Sequence, residues 1–389
     1  MDYTTKLAYQ SNYWYNDGLN KANIRDLTGA ITSLKKSLQY NRDNIASRNL
    51  LGLVYYGRGD VVEALAEWVL SKNLQPKENI ANYYIQKVEN LTDLFTIIFT
   101  IVDDIYNDII PISIRNRRNI KDSKLCDSEI ITISIVGELL TIDSEKAFFS
   151  LLSREYSKLF PKLGDRTRFN RTKRNLHSVI NEIREYISLY IQSYSNNIRV
   201  IDSMPIPVCE FGRAHFSKCF KGEASYGVCP SKKQTYFGFK FHALTTIDGF
   251  LTDYVITPAN VDDRNAVWDL CDKYNSISII GDKGYINKRL TPELKTEKDI
   301  NLLFLKRGNS KDNYPKQIRQ LIFKVRRRIE TSFSQLTEQL NLNKVKSKSM
   351  LGFITRISIK VLGHNISFLI NKLIGNYDSI AKIKSLVFG

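Results

Sequence analysis

Three acidic side chains stand out as candidates for chemistry because of where they lie in the chain. Asp202 ends an apolar run at 198–202, Asp282 ends a second run at 276–282, and Glu330 lies in a strongly basic stretch. Phosphodiester transfer with two metal ions needs several carboxylates that converge on the cations. Mg²⁺ takes few protein ligands and keeps waters and substrate phosphates, so two or three acids suffice. In a chain of net charge +17, these residues predict Mg²⁺ chemistry on a polyanion.

The elements that would bring these acids together form an α/β pattern in the second half of the chain. We predict, in order, strand 198–202, strand 236–246, strand 250–257, helix 262–274, strand 276–282, strand 301–306 and helix 315–340. Three antiparallel strands, a helix, and then further strands and helices follow the order of a ribonuclease-H-like domain, which we place at 196–375. The first and fourth strands are neighbours in this topology. Asp202 and Asp282 therefore converge, and the closing helix delivers Glu330.

The closing helix carries one apolar stripe at spacings of three and four residues, which is typical of a helix packed on a core. The stripe consists of Ile318, Ile322, Val325, Ile329, Phe333, Leu336 and Leu340. Glu330 flanks the stripe, so we expect it at the margin of the core. Arg326 precedes it by one turn, where its guanidinium would orient Glu330 or hold a phosphate.

The basic charge is concentrated rather than spread evenly. The whole chain has 57 Lys and Arg against 40 Asp and Glu, and residues 306–360 alone have 14 basic and 3 acidic side chains. A field of this kind favours a polyanionic partner. The alternative is a solvated basic surface.

Cysteine spacing and hydropathy bear on the compartment. Five scattered cysteines predict no disulfide framework and fit a reducing, cytoplasmic setting. The most apolar run, 94–102, is too short to span a bilayer, so we expect no membrane partner.

The first eighty residues contain a repeat with a period of 34, which is the period of tetratricopeptide helix pairs. The matching pairs are Gly18 and Gly52, Asp26 and Asp60, Ala30 and Ala64, Leu34 and Trp68, and Ser37 and Ser71. We predict first helices at 13–23 and 48–58 and second helices at 27–40 and 61–74, with an aspartate capping each second helix. Because the pattern fails after about two and a half repeats, we interpret 1–86 as a truncated array. The alternative is an unrelated four-helix segment.

Residues 89–195 show helical periodicity and one very basic run. That run contains Arg166, Arg168, Arg171, Lys173 and Arg174. A small helical unit with a basic helix predicts an all-α DNA-binding region of the helix-turn-helix kind. A solvated basic helix is the alternative.

Five separated blocks of sequence agree, in order, with one known family. The blocks are VIDSMP at 200–205, GFKFH at 238–242, TPANVDD at 257–263, GDKGY at 281–285 and RRRIETSF at 326–333. Over residues 90–375 the chain resembles the DDE transposases of bacterial insertion sequences, and in particular the insertion-sequence 982 family. The expected architecture is an α/β ribonuclease-H-like catalytic domain, preceded by an all-α DNA-binding region and an N-terminal α-helical tetratricopeptide-like segment.

The resemblance implies that Asp202, Asp282 and Glu330 are the catalytic and metal-binding triad. It also implies two Mg²⁺ ions, with Mn²⁺ as an alternative ion, and a cut-and-join reaction at inverted terminal repeats. The implied partners are the DNA of the element ends and the target DNA. We expect a homo-oligomer when the protein is active, and a cytoplasmic location on the nucleoid.

Two departures from the related families concern DNA contacts. Related families often carry Tyr-x2-Arg-x3-Glu-x6-Lys around the glutamate, whereas this chain has Phe323 in place of the tyrosine and Thr337 in place of the lysine. The repeat-like segment 1–86 is foreign to the family and indicates a fusion.

Further cations are predicted to touch DNA near the acids. Lys240 and His242 share one strand face, where they would approach the scissile phosphate; a packed, hydrogen-bonded histidine is the alternative for His242. Lys283, Arg326 and Arg327 are the other candidates.

Three functions are compatible with these patterns. The first is a transposase that performs Mg²⁺-dependent cleavage and strand transfer. The second is a tetratricopeptide adaptor that binds a peptide and carries an inactive transposase remnant. The third is a ribonuclease-H-like nuclease without strand transfer.

Overall fold

The computed structural model describes residues 3–374, except for 59, 89–90, 119, 121–122, 193–195, 230–232, 286–288 and 305–313. The chain divides into two compact units. Among the described residues, one comprises 3–101 together with 367–374, and the other comprises Val102–Ile366. The region predicted at 89–195 therefore belongs largely to the same unit as the sheet that follows it, and the domain boundaries stay predictions.

The first unit begins with five helices. They are α1 (Tyr3–Asn23), α2 (Leu27–Tyr40), α3 (Ile45–Arg58), α4 (Val61–Leu74) and α5 (Ile80–Val88). The structure agrees with both bounds of the two predicted second helices, α2 and α4, whereas the first helices α1 and α3 begin earlier than predicted. Asp26 caps α2 by accepting a hydrogen bond of 2.9 Å from the backbone amide of Gly29. The tetratricopeptide assignment itself stays a prediction.

Small residues lie where the helices of each pair pack closely, as the repeat predicts. Gly18 faces Leu34, and Gly52 faces Trp68, whose side chain is buried. The indole nitrogen of Trp68 donates a hydrogen bond of 3.1 Å to the carbonyl oxygen of Asn49, so the ring is fixed against α3. These contacts explain why the glycine and the bulky residue recur together.

Substituting Gly52 by alanine is expected to destabilise the first unit. An added Cβ would lie 2.6 Å from Trp68 Cδ1, and a packed ring yields less readily than a flexible side chain. We expect a loss of about 1–3 kcal/mol in the free energy of unfolding, measured by urea denaturation. Gly57→Ala is the matched control in the same helix, because nothing lies within 4 Å of its Cβ position; unfolding at equal urea for both variants would contradict the packing argument.

Further helices follow along the chain; the first of them begins in the first unit and the others lie in the second. They are α6 (Leu91–Ile109), α7 (Ile112–Arg115), α8 (Asp127–Leu139), α9 (Glu145–Glu155), α10 (Arg166–Asn175) and α11 (His177–Gln192). Helix α8 is buried along nearly its whole length. Residues 156–165 separate α9 from α10, and a single residue separates α10 from α11. Neither connection is the turn of three or four residues that joins a helix-turn-helix, so that predicted arrangement around α10 is wrong.

A mixed sheet forms the centre of the second unit. Its strands are β1 (Ile198–Pro207), β2 (Ser225–Cys229), β3 (Gln234–Thr246), β4 (Leu251–Pro258), β5 (Ser278–Gly281) and β6 (Asn301–Phe304). Within the described residues the order is β2-β3-β1-β5-β6, with β4 also pairing with β3. β1, β3 and β4 are antiparallel, whereas β5 and β6 run parallel to β1. The first and fourth predicted strands are indeed adjacent, as β1 and β5.

The sheet departs from prediction at its edges. Strand β2 pairs with the first half of β3 and was not predicted, because its five residues alternate only weakly. The predicted strand at 301–306 ends at Phe304 in the structure, and residues 305 and 306 lie outside the described part of the chain.

Four more helices complete the fold: α12 (Ala266–Cys271), α13 (Leu290–Lys298), α14 (Lys316–Ser334) and α15 (Met350–Leu373). A π-helical turn, Gln335–Gln339, continues α14 and accounts for the rest of the predicted closing helix. Among the described residues, α15 alone is long and apolar enough to cross a membrane, yet 94% of its most apolar window is buried. Its buried Lys360 and Asn365 donate hydrogen bonds to protein acceptors, as expected of a core helix.

Candidate active site

Asp202 and Asp282 lie at corresponding positions on neighbouring parallel strands. The last registered pair between β1 and β5 is Val200 with Ile280, and each aspartate follows two residues later. The prediction that Asp202 ends its strand is wrong, because β1 continues to Pro207 against β3. Asp202 instead marks the point where β1 loses β5 as a partner, which leaves that side of the strand open.

Helix α14 brings Glu330 to the same end of the sheet. Ile329 is fully buried, and the Ser332 hydroxyl donates a hydrogen bond of 2.6 Å to the carbonyl oxygen of Gly249 in the β3–β4 turn. The Phe333 and Phe241 rings lie 6.2 Å apart, which fixes the helix on β3. Glu330 follows Ile329 and keeps 56% of its side chain exposed. It therefore lies at the margin of the core, as its position beside the apolar stripe predicts.

Arg326 connects two of the three acids. Its Nη2 atom lies 3.5 Å from Asp282 Oδ2 and 3.8 Å from Glu330 Oε1. These two carboxylate oxygens are therefore no further apart than the sum of those distances, 7.3 Å. The guanidinium is 20% exposed and lies between the two acids, so a cation already occupies the space that they share.

Asp202 belongs to the same electrostatic group. Burial raises the pKa of Asp202 to about 6; the backbone N–H of Ser203 and the charge of Arg326 oppose the rise, while the charges of Asp282 and Glu330 add to it. The amide of Ser203 donates a hydrogen bond of 2.8 Å to Asp202 Oδ1. Three acids thus crowd their negative charge around one arginine, and a cation of higher charge would relieve the repulsion among them.

The donor set fits a hard divalent cation, although the three carboxylates do not surround a common point. All three side chains offer carboxylate oxygens, the ligands that Mg²⁺ prefers. Within the part of the chain that the structure describes, no three His, Cys, Asp or Glu side chains lie close enough to hold a metal ion. Asp282 and Glu330 stay on either side of the Arg326 guanidinium, and 43% of the Asp282 side chain is exposed, which leaves it room to turn toward a cation.

A fourth acid, Asp263, supports the site through Ser203, the residue after Asp202. Its two oxygens accept hydrogen bonds of 2.9 Å from the Ser203 hydroxyl and 2.8 Å from Lys240 Nζ. Lys240 also donates to the carbonyl oxygen of Val261 at 2.8 Å. Asp263 was not predicted as a site residue; the signal was its position at the end of the TPANVDD block, after β4. This network holds the residue next to Asp202 in place.

The other residues predicted to contact DNA near the acids are found in different settings. His242 is fully buried and bonds Thr257 Oγ1 through Nε2 at 2.9 Å, and burial lowers its pKa to about 4. This buried position does not agree with the predicted DNA contact by His242. It agrees with the alternative, a packed and hydrogen-bonded histidine. Arg327 lies over the exposed ring of Phe323 at 4.7 Å. The side chain of Lys283 lies outside the described residues.

The basic residues of α10 lie on a separate part of the second unit. Arg166, Arg168, Arg171 and Arg174 are exposed, whereas Lys173 is half-buried and lies 2.5 Å from Glu145 Oε1 on α9. Only Phe169 is buried along this helix. The structure thus presents most of the predicted α10 cations to solvent, where a polyanion can reach them.

Comparison with known proteins agrees with the geometry. Residues 192–350 match the family described as Transposase DDE domain. That span includes Asp202, Asp282 and Glu330, and it runs from just before β1 to the start of α15. No curated protein and no solved structure matches the chain. The match supports a DDE transposase, and a helical region followed by a mixed-sheet domain fits that class.

Proposed function

We propose that this protein is a DNA transposase of the insertion-sequence 982 type, with a ribonuclease-H-like catalytic domain. The observation that carries the proposal is that Asp282 and Glu330 lie on either side of Arg326, with Asp202 two residues beyond the pairing of β1 with β5 and within electrostatic reach of all three, inside the segment similar to DDE transposases. They come from β1, the end of β5 and α14, which are remote in the chain. An accidental acidic surface does not require this arrangement across a sheet and a packed helix.

The carboxylates of Asp202, Asp282 and Glu330 would hold two Mg²⁺ ions, with Mn²⁺ as an alternative. When bound, such ions activate the attacking oxygen and stabilise the leaving oxygen of an in-line displacement. With ions bound to these acids, Arg326 would lose at least one of its acid contacts, and its guanidinium would be available to a phosphate oxygen. Asp263, through Ser203, keeps Asp202 directed toward the shared space.

The proposed reaction has two phosphoryl-transfer steps at one site. In the first, a water oxygen bonds to phosphorus at the element end, and the bond from phosphorus to the 3′ oxygen breaks, which leaves a 3′-OH. In the second, that 3′-OH bonds to a phosphorus of the target strand, and the target's own 3′ oxygen leaves as a hydroxyl. The protein positions both nucleophiles against the same carboxylates.

The proposed partners and location follow from this reaction. The element ends and the target DNA are the substrates, and two ends held together require a homo-oligomer on the nucleoid in the cytoplasm. The N-terminal helices α1 to α5 are proposed to be a truncated tetratricopeptide array, for which a peptide is the corresponding partner.

A nicking and joining assay tests the proposal. The substrate is duplex DNA taken from both flanks of the protein's own coding region, incubated with Mg²⁺, Mn²⁺ or EDTA. We expect nicks that leave a 3′-OH, followed by joined products, with either metal and none in EDTA. Nicks without joined products would indicate a nuclease without strand transfer, and no nicks with either metal would reject the transposase.

Asp263→Asn is expected to slow nicking by about 10- to 100-fold, as for other partners that orient metal ligands. The amide cannot accept from both Ser203 and Lys240, so Asp202 loses its support. DNA binding in EDTA should not change, which separates a loss of positioning from a loss of fold. Asp262→Asn is the matched control, because its exposed carboxylate accepts hydrogen bonds from Arg264 and lies outside the Ser203–Lys240 network; equal slowing of both variants would contradict the role of Asp263.

A further inference from the structure

A basic cleft lies between α10, the start of α9 and the segment that leads into α15. It encloses about 610 Å³. Its basic lining residues are Lys146, Arg166, Lys173, Arg174, Lys346 and Lys348, with Arg356 at the base. They come from three stretches that are remote in sequence, so only the folded chain brings them together.

The acids of the basic cleft are already neutralised by cations of the same cleft. Asp143 and Glu145 are the two acidic residues that line it. Glu145 Oε1 lies 2.5 Å from Lys173 Nζ, and Asp143 Oδ1 lies 3.6 Å from Arg356 Nη2. Seven basic and two acidic side chains leave an excess of five positive charges, and that excess belongs to the exposed residues of the rim.

The rim cations face solvent without a carboxylate partner. All five are exposed, and none of them forms an ion pair with any acid that the structure describes: Lys146, Arg166, Arg174, Lys346 and Lys348. Like charges gathered around one concave surface raise its potential and attract an anion. The rim of the basic cleft therefore carries positive charge that no acidic side chain in the described part of the chain neutralises.

The 346–349 segment lies close to the start of α15. A Cβ at Gly352 would lie 2.8 Å from Ser347 Oγ and 3.1 Å from Ser349 Oγ. The absence of a side chain there lets the segment lie on the first turn of the helix, with Lys346 and Lys348 in the lining of the basic cleft. The hydroxyls of Ser144, Thr167, Ser347 and Ser349 also line it.

We propose that the basic cleft binds the sugar–phosphate backbone of DNA and anchors it without reading its sequence. Lysine, arginine and hydroxyl side chains are the groups that contact phosphate oxygens, and such contacts position DNA rather than specify it. The cations are spread along three segments instead of surrounding one point, which suits an extended chain of phosphates better than a single small anion. The inference rests on the proposed DNA substrate and is independent of the catalytic role of the acids.

The test is the salt dependence of DNA binding by the full chain. A labelled duplex of arbitrary sequence is titrated in EDTA at several salt concentrations, with the wild type and with the double variant Lys346→Ala/Lys348→Ala. Each lysine that neutralises a phosphate contributes about 0.9 to the slope of log affinity against log salt, so the slope should fall by about 2. The loss of affinity should be equal for unrelated sequences.

Lys72→Ala/Lys77→Ala is the matched control, because both lysines are exposed and lie in the first unit. Its slope should equal that of the wild type. If Lys346→Ala/Lys348→Ala binds DNA with an unchanged slope, the anchoring role is overturned while nicking still tests the proposed function. If polyglutamate competes as well as DNA and depends on the same two lysines, the DNA role is overturned and the surface serves an acidic protein instead.

Discussion

Asp282→Asn is expected to lower Mg²⁺-dependent nicking by at least about 1000-fold. A metal at a reacting phosphate contributes several kcal/mol of transition-state stabilisation, and each 1.36 kcal/mol is about a factor of ten in rate. The amide has nearly the shape of the carboxylate but lacks its charge, so it holds a divalent cation poorly. Because 43% of the Asp282 side chain is exposed, the change should leave the fold intact.

The measurement pairs two assays on the same preparations. Nicking is followed in Mg²⁺, and DNA affinity is measured in EDTA, where we expect the variant and the wild type to agree. Asp272→Asn is the control, since its side chain is 82% exposed and its acid lies beside Lys298 rather than Arg326. Nicking by Asp282→Asn at the wild-type rate would remove the central assignment, whatever DNA binding showed.

Some helices could be predicted from the sequence because burial of one helix face imposes a regular spacing of apolar residues. The apolar stripe of the closing helix follows from packing on the sheet, and Ile322, Ile329, Phe333 and Leu336 of that stripe are buried in α14 and the turn after it. The bounds of α2 and α4 follow from the repeat. Asp26 caps α2 as predicted, whereas the Asp60 side chain makes no cap hydrogen bond at the start of α4, so that part of the prediction is wrong. Each of these signals lies within a short stretch of chain, where local spacing and burial agree.

Contacts between segments that are remote in the chain could not be predicted from local spacing. Strand β1 runs past Asp202 because β3 goes on pairing where β5 stops. Asp263 reaches Ser203 because the residues after β4 fold back toward β1, and no spacing encodes that return. The basic cleft likewise depends on the segment at 346–349 meeting α10. In each case the sequence shows the residue types, but it does not show which remote residues they contact.

Glu138→Gln is expected to reduce the free energy of unfolding of the second unit by about 3–5 kcal/mol, the usual loss when one member of a buried ion pair is removed. Glu138 lies on α8 and accepts from Arg356 Nε at 2.7 Å and from Lys360 Nζ. Arg356 is 8% exposed and Lys360 is 1% exposed. The neutral amide would leave two buried cations with too little negative charge.

The pH dependence of this loss has a defined sign. Burial alone would raise the pKa of Glu138, but the charges of Lys360 and Arg356 outweigh it and lower the pKa below its ordinary value. A lowered folded-state pKa contributes stability above the pKa of the unfolded group, about 4.3 for glutamate, and that contribution is lost as the pH falls further. The difference between the wild type and Glu138→Gln should therefore be full at neutral pH and shrink in acid.

Two further variants separate charge from packing. Glu182→Gln changes an exposed glutamate on α11 and should alter stability by less than about 0.5 kcal/mol. Adding Lys360→Met to Glu138→Gln removes one uncompensated cation, so we expect the double variant to unfold at higher urea than Glu138→Gln alone, the non-additivity of coupled residues. If adding Lys360→Met lowers the free energy of unfolding further, packing rather than charge balance in this cluster holds α8 to α15.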